Sequence, residues 1–407
     1  MNVAYVVWLE NLSSPILTGQ VVDVLAEMGR LSEEHNLHLF AFQPLYRMLL
    51  RRDNLAEVHR RLRAAGVRTT WIPCLAIPQV DLFRVPWYMM PVILLQSVPA
   101  LLLLTVWRRI DILHCRSYPA TWAASVLRPL LAAKVIFDPR SDFPEENITA
   151  GKWAAGSATD RAWKRLESRL LEDADATVAI TESYVDHYSR VAPEARFYLV
   201  PNNVDTQRFR RDEIFRESFR SKHDLGADTV VFCYNGSMGG HWNSPEPYAD
   251  FILRLRDLGT AHWFLFITPD AQAVTHALGL RGLTQDEFGV VSCAFEDVPK
   301  YLSVADIGMM FVEEERIALG IKTVEYLAAG MPVIANGKAL GAAEVVTRYG
   351  VGLVVADSGA ADLEEIRKLA GRREEISSAC RHLAETRFST SKVAERYLQL
   401  YDTLAQP

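Results

Sequence analysis

Twice along this chain, short runs rich in Val, Ile and Phe alternate with longer stretches of helical spacing. No other feature constrains the fold as tightly. The first set of runs is Val3–Leu9, His38–Phe42, Val67–Ile72, Ile110–His114, Val135–Phe137, Ala176–Ile180 and Phe197–Val200. Helical spacing fills gaps between them at Gln20–Glu34, Leu55–Ala65, Thr121–Leu131 and Asp160–Leu171. The pattern then restarts with Thr229–Asn235, His262–Thr268, Gly289–Cys293, Ile307–Phe311, Val333–Ala335 and Gly352–Val355. Helices are expected there at Pro245–Leu258, Val298–Val304, Ile321–Ala329 and Ala361–Leu369. Apolar strands separated by helices must be covered on both faces, which predicts parallel sheets.

The chain therefore reads as α/β, with two tandem, doubly wound, Rossmann-like domains. Its 407 residues suit two domains of ordinary size. The expected boundaries are 1–203 and 204–386, with a terminal helix over 387–407. The seam falls in the polar, Arg-rich stretch Pro201–Asp228. In the terminal helix Val393, Tyr397, Leu400 and Leu404 form one apolar stripe, which must be buried somewhere, and the first domain is the expected place.

Charge narrows the function. Lys and Arg number 44 against 50 Asp and Glu, a net −6, which gives no reason to expect a nucleic-acid partner. The five cysteines are scattered, with no CxxC pair and no zinc-ligand spacing, so no metal and no cofactor are expected. A reducing, cytoplasmic compartment follows from the same scarcity. MNVAYVVWLE lacks a basic flank and a cleavage site, and reads as a first strand.

One run, Val85–Trp107, carries no charge and is long enough to span a bilayer. Pro86, Pro91 and Pro99 interrupt it and Gln96–Ser97 sit at its middle, so a buried or interfacial helix is the expectation. Upstream, Arg47, Arg51, Arg52, Arg60, Arg61, Arg63 and Arg68 face only Asp53 and Glu57. Two readings of that basic run stand: a solvated helix face, or a patch meeting anionic lipid on the inner face of a membrane.

The most informative stretch is GIKTVEYLAAGMPVIAN, Gly320–Asn336. A helix from Ile321 would end at Gly330, a residue suited to the left-handed cap. Lys322 and the unpaired N–H groups of the first turn form an anion site, and Glu325 lies one turn along the same face. Such a trio suits a nucleoside diphosphate, with phosphates on the first two and ribose hydroxyls on the carboxylate. A plain surface Lys–Glu pair has the same spacing. In the first domain, Asp138 and Arg140 follow KVIF at the strand end, where open α/β sheets bind ligands. They read either as site residues or as an internal ion pair. His114 ends a strand and reads as packed or catalytic. Glu145 and Glu146 follow on the acidic loop.

On these residues the sequence resembles the family-4 glycosyltransferases of GT-B fold. EYLAAGMPVIAN resembles their donor-site helix and the strand after it, FYLVPNNVDTQRF the entry to the second domain, and DADATVAITES the close of the first. NLSSPILTGQ, with Ser14, fits the loop after the first strand. FDPRSDFPEENITAGKW resembles the acidic, aromatic loop of members that build bacterial surface polysaccharides.

The resemblance implies two domains facing across a cleft and a terminal helix returning to the first. It implies a metal-independent, retaining transfer of a hexosyl group from a nucleotide-sugar, UDP-linked by family frequency, to a lipid-linked or other saccharide acceptor. Catalytic roles would fall on Asp138, Arg140, His114 and Lys322. Donor contacts would fall on Gly236, Ser237, Gly239, Gly240, His241, Lys322, Thr323 and Glu325, and acceptor contacts on Ser14, Glu145 and Glu146. Two departures stand out. The family's first donor carboxylate would fall on Ile317, with Glu315 the nearest substitute. The Arg and Lys that clamp the pyrophosphate are missing from NGSMGGHWNSPE. Those departures keep two alternatives open, a non-catalytic nucleotide-sugar scaffold and a sugar-nucleotide epimerase.

Overall fold

The structure, a computed structural model, describes residues 1–50, 52–75, 90–238, 243–257, 259–357 and 362–406. The chain divides into two compact units, Met1–Pro201 with Thr390–Pro407, and Asn202–Ser389.

In the first unit, seven parallel strands follow the order β3-β2-β1-β4-β5-β6-β7. They are β1 (Asn2–Trp8), β2 (Asn36–Pro44), β3 (Arg68–Cys74), β4 (Ile112–Arg116), β5 (Lys134–Asp138), β6 (Ala176–Ala179) and β7 (Phe197–Leu199). The second unit has six parallel strands, β8 (Val230–Asn235), β9 (His262–Ile267), β10 (Phe288–Val291), β11 (Ile307–Met310), β12 (Val333–Asn336) and β13 (Gly352–Val355). Their order is β10-β9-β8-β11-β12-β13. Every apolar run read as a strand is one. In both sheets the winding reverses beside the first strand, at β1/β4 and at β8/β11. Loops leaving the carboxyl ends of that strand pair diverge and open a crevice, the usual ligand position of doubly wound sheets.

Local signals start and stop the helices that cover these sheets. Ser157 Oγ accepts from Asp160 N at 3.2 Å and Thr181 Oγ1 from Tyr184 N at 3.0 Å, each supplying a first-turn acceptor. Gly330 ends the helix Ile321–Ala328 with φ of +76°, as its position predicts.

The units divide at Pro201/Asn202, at the start of the expected seam. The rest of that stretch is folded. All of it beyond Pro201 belongs to the second unit, and it contains a helix, Glu213–Lys222, capped by Asp212. Two of its arginines are structural: Arg216 and Arg220 grip the buried Asp306 at 2.6 and 3.3 Å. The acidic loop after β5 is also shorter than expected. Asp142 caps a helix, Phe143–Thr149, with Pro144 in its first turn.

The terminal helix Thr390–Ala405 belongs to the first unit. Val393, Tyr397 and Leu400 are buried in the same core as Val3, Leu39, Ile112 and Ile136, and Leu404 packs at its margin. The uncharged run forms a helix over Met90–Arg108, with Pro99 inside it. Val85–Met89 and Arg51 lie outside the described residues.

Candidate functional site

At the second sheet's switch point, Asn235 ends β8 and ties it to the helix Ile321–Ala328 twice. Its backbone N–H donates to Tyr326 Oη, and its Nδ2 to Glu325 Oε2, both at 2.8 Å. Lys322 Nζ lies 3.2 Å from the same Oε2. Both contacts use one carboxylate oxygen. Glu325 is 2% exposed, and burial raises its pKa, opposed by the positive charge of Lys322 and, further off, of Arg208. Lys322 keeps a side chain 30% exposed. The pair is therefore a buried carboxylate with a half-exposed cation over it, not the plain surface pair of the blander reading.

Next along the chain, Gly236 has φ of +147°. A Cβ there would crowd Tyr234 Oη at 2.9 Å, with Lys322 Cε at ordinary contact distance, so the positive φ and the tyrosine hydroxyl together favour glycine. Tyr234 Oη donates to Ser237 O at 2.8 Å, and Met238 N donates to Asp270 Oδ2 at 2.9 Å, which shapes the start of the loop. Gly239, Gly240 and His241 lie outside the described residues. Gly236, Lys322 and Glu325 thus come together at the N-terminal end of an eight-residue helix, where the helix dipole adds partial positive charge. A phosphate beside Lys322 and a vicinal diol on Glu325 fit this chemistry.

Two expected donor contacts do not join them. Thr323 is fully buried, and its hydroxyl lacks a hydrogen-bond partner among the described residues. It faces the core because it sits one residue past Lys322, about 100° around the helix. Glu315 is exposed, and no contact ties it to Glu325 or Lys322 among the described residues. Its neighbour Glu313 instead accepts from Ser244, just beyond the glycine loop.

The structure adds residues that spacing did not single out. Asn202, in the PNNVD segment, donates to Leu319 O at 2.6 Å and so fixes the approach to the helix. Arg208 stacks on Phe295, 4.1 Å from its ring centroid, and its charge reaches Glu325. Burial raises the pKa of Tyr234, and the charge of the nearby Arg316 works against that rise. Only the PNNVDTQRF motif could have flagged the first two, and nothing local flags Arg316.

The first unit's expected residues assemble differently. Asp138 and His114 are both fully buried. Asp138 Oδ2 accepts from His114 Nε2 at 3.1 Å and from Tyr5 and Tyr397 Oη at 3.3 Å. Arg140 Nε pairs with Oδ1 at 2.8 Å, and Tyr401 Oη meets His114 Nδ1 at 2.7 Å. Burial works against the charge of Asp138, but Arg140, the His114 hydrogen bond and Arg116 outweigh it and hold the carboxyl at about 2. Burial also holds His114 below the usual imidazole range. Tyr397 and Tyr401 come from the terminal helix, so this cluster docks that helix. The internal ion pair is the reading the geometry favours, over a set of groups presented to substrate. Arg140 itself has φ of +62°, a strained conformation that the ion pair holds.

Beside β1, Arg116 is buried and donates to Glu10 Oε2 and Gln20 Oε1, both at 2.7 Å. With Glu10 it forms an ion pair at the first sheet's own switch point. Ser14 caps the short helix after β1, accepting from Leu17 N at 3.4 Å. Glu145 is exposed and bridged to Lys164 at 2.5 Å, while Glu146 is half-buried. Beneath them lies an acid pair that sequence did not suggest. Glu167 accepts from Tyr118 and, at 3.1 Å, from Tyr188. Burial with the nearby Asp142 charge pushes Glu167 to about 8, and burial with Glu145 and Glu146 pushes Asp142 to about 7.

Comparison with known proteins agrees with this architecture. Residues 18–203 match the family described as a glycosyl transferase 4-like domain, and residues 261–371 match glycosyl transferases group 1. The GDP-mannose-dependent alpha-(1-6)-phosphatidylinositol monomannoside mannosyltransferase of Mycobacterium tuberculosis is 28% identical over 194 residues, 46% of this chain and 50% of that protein. The chain thus spans about half the length of the curated relatives it matches. Among solved structures, sucrose-phosphate synthase from Thermosynechococcus elongatus superposes with a TM-score of 0.68 at 16% identity, covering 99% of each chain. HepE of Anabaena in complex with UDP gives 0.65 at 12%, covering 99% of this chain and 100% of that one. WaaG, a glycosyltransferase involved in lipopolysaccharide biosynthesis, gives 0.62 at 13%, covering 100% of both. With two doubly wound sheets, a terminal helix returned to the first, and a match to a glycosyl transferase domain on each, this chain has the GT-B architecture of the glycosyltransferases it resembles.

Proposed function

We propose that the chain is a retaining glycosyltransferase that moves a hexosyl group from a nucleotide-sugar to a lipid-linked saccharide acceptor. One observation carries the reading: Lys322, Gly236 and the buried Glu325 converge on a helix N-terminus at the second sheet's switch point. Glu325, held by Asn235 through one oxygen, keeps the other for the ribose hydroxyls. Lys322 and the helix N–H groups stabilise the departing diphosphate, whose charge grows as the glycosidic bond breaks. Front-face transfer with retention lets the leaving phosphate oxygen take the acceptor proton, so no enzymic nucleophile is needed. The first unit would handle the acceptor. A lipid-linked acceptor is supported by the phosphatidylinositol-type acceptor in the mycobacterial relative's name. That name also favours GDP-mannose as donor, beside the UDP-sugar expected from sequence. Positive charge from Lys322 and the helix leaves no need for a metal, so activity is expected to survive EDTA.

The test is a thermal-shift panel of UDP, GDP, dTDP, CDP and ADP on the parent chain and on Glu325→Ala. A nucleotide at 100 times its dissociation constant adds about 2.7 kcal/mol, a shift of a few degrees. The expected result is that one nucleotide, UDP or GDP, stabilises the parent and not the variant. Stabilisation without turnover on any acceptor would favour a scaffold. Conversion of the donor sugar with no acceptor present would favour an epimerase. No shift with any nucleotide would overturn the site.

A further inference from the structure

The helix Met90–Arg108 is inside out. Its inward stripe, at four-residue spacing, is Ile93, Ser97, Leu101 and Thr105, all buried. Half of that stripe carries hydroxyls. Ser97 Oγ turns back to donate to Ile93 O at 2.6 Å, and the Thr105 hydroxyl is buried without a hydrogen-bond partner among the described residues. The opposite stripe is wholly apolar and outward. Leu95 is 76% exposed, Leu103 69%, Val106 61% and Trp107 64%. A surface helix in water shows the reverse arrangement, with its polar stripe outward. Leaving that much aliphatic surface wet is costly, so the outward stripe is built for an apolar medium.

The stripe continues onto neighbouring elements. Leu75, directly after β3 and 79% exposed, donates its N–H to Gln96 Oε1 of the helix at 2.7 Å. Cys74 pairs with Pro44, the last residue of β2, and the next residue opens the helix Leu45–Leu50. There Leu49 and Leu50 are exposed as well. These leucines therefore leave one carboxyl edge of the first sheet side by side. Within the helices Leu45–Leu50 and Met90–Arg108 every charge is positive, and the exposed Asp111 beyond them accepts from Asn2 N at 2.7 Å. The helix Met90–Arg108 contains no carboxylate, Arg108 lies over the Trp107 ring at 3.9 Å, and Arg109 follows. Arg47 sits between the exposed leucines of the short helix.

We propose that this side of the first unit, from the leucines at the carboxyl edge along the helix Met90–Arg108 to Arg109 beside Asn2, docks on the surface of an anionic lipid bilayer, with the helix lying in the interface plane. Its leucines enter the acyl boundary, while Trp107 and Arg108 sit at headgroup level, where an aromatic ring and a cation are both favoured. Each arginine near an anionic surface adds to the binding. A second protein copy would bury the leucines equally well, but neither the helix Leu45–Leu50 nor the helix Met90–Arg108 of such a copy offers a carboxylate to Arg47 or Arg108. Docking needs no nucleotide site and stands apart from the sugar-transfer reading. If both hold, a lipid-borne acceptor meets the first sheet at its carboxyl edge.

The experiment is flotation of the full chain with vesicles of phosphatidylcholine alone and of phosphatidylcholine with 30 mol% phosphatidylglycerol. The parent is expected to float with the anionic vesicles and several-fold less with the neutral ones. Leu95→Glu/Leu103→Glu is expected to lower the bound fraction by about tenfold or more, from lost apolar insertion. Both side chains are exposed, so the melting temperature should stay within about a degree of the parent. As a readout that needs no charged variant, brominated lipid should quench parent tryptophan fluorescence, and less so in Trp107→Phe. The proposal is overturned if the parent stays unbound with both vesicles, or if the double variant floats equally. It is also overturned if light scattering finds a parent dimer, indifferent to lipid, that the double variant splits; a second copy then covers the stripe.

Discussion

The carboxyl edges of the two sheets use similar residue types to opposite ends. In the first, Asp138 has three hydrogen bonds and an ion pair, and His114 has a partner on each ring nitrogen. In the second, Glu325 is as deeply buried, but its described partners share one oxygen and Lys322 above it stays part exposed. Buried charge is costly unless its partners are complete. Where they are complete, the cluster serves stability. Where a part-exposed cation stands over a buried carboxylate beside a helix N-terminus, the arrangement fits the proposed donor site.

Four substitutions or conditions test that contrast. Asp138→Ala should cost the most, about 3–5 kcal/mol of unfolding free energy in urea, because it strands Arg140 and neutral His114 in the core. A loss below about 1 kcal/mol would show that the cluster does not dock the terminal helix. Lys322→Ala should lower kcat/KM by about 10²–10³-fold while leaving the melting point of the free protein near that of the parent. Equal losses of stability and turnover would erase the distinction between the two edges. Tyr401→Phe removes one hydrogen bond to His114 and should cost about 1 kcal/mol, with nucleotide binding unchanged.

The smallest effect is a pH slope. Asp142 near 7 and Glu167 near 8 keep protons in the folded chain that the unfolded chain releases near pH 4. Stability from this pair is therefore full below about pH 4 and falls as pH rises toward 8. Asp138, held near 2, acts in the other direction, and its contribution fades only as pH drops from about 4 through 2. The melting temperature should be higher at pH 6 than at pH 9, and Glu167→Gln should flatten that difference. An unchanged slope in that variant would place the protons elsewhere.

The same contrast shows what sequence can reveal. Lys322 and Glu325 lie one turn apart, so a helical period is enough to put them on one face. Gly330 and the apolar stripe of the terminal helix were legible for the same reason. His114 and Asp138 sit 24 residues apart on neighbouring strands, and Tyr401 arrives from 287 residues away. No local period links those three, and their clustering follows from where the last helix packs. Thr323 had the right neighbours in sequence but the wrong azimuth. Glu167 met Tyr118 and Tyr188 only through the packing of three helices.

By itself, the sequence determined two parallel sheets, their strands and the Lys322–Glu325 pair, because each rests on alternation or spacing within a few residues. Tertiary structure alone decided which acids are charged. It decided too that Asp138 holds a helix, that Arg208 and Arg316 stand within electrostatic reach of Glu325 and Tyr234, and that the most apolar helix turns its leucines outward. Those outcomes depend on burial and on partners distant in the chain. Desolvation and pairing are properties of the folded arrangement, and no stretch of sequence carries them alone.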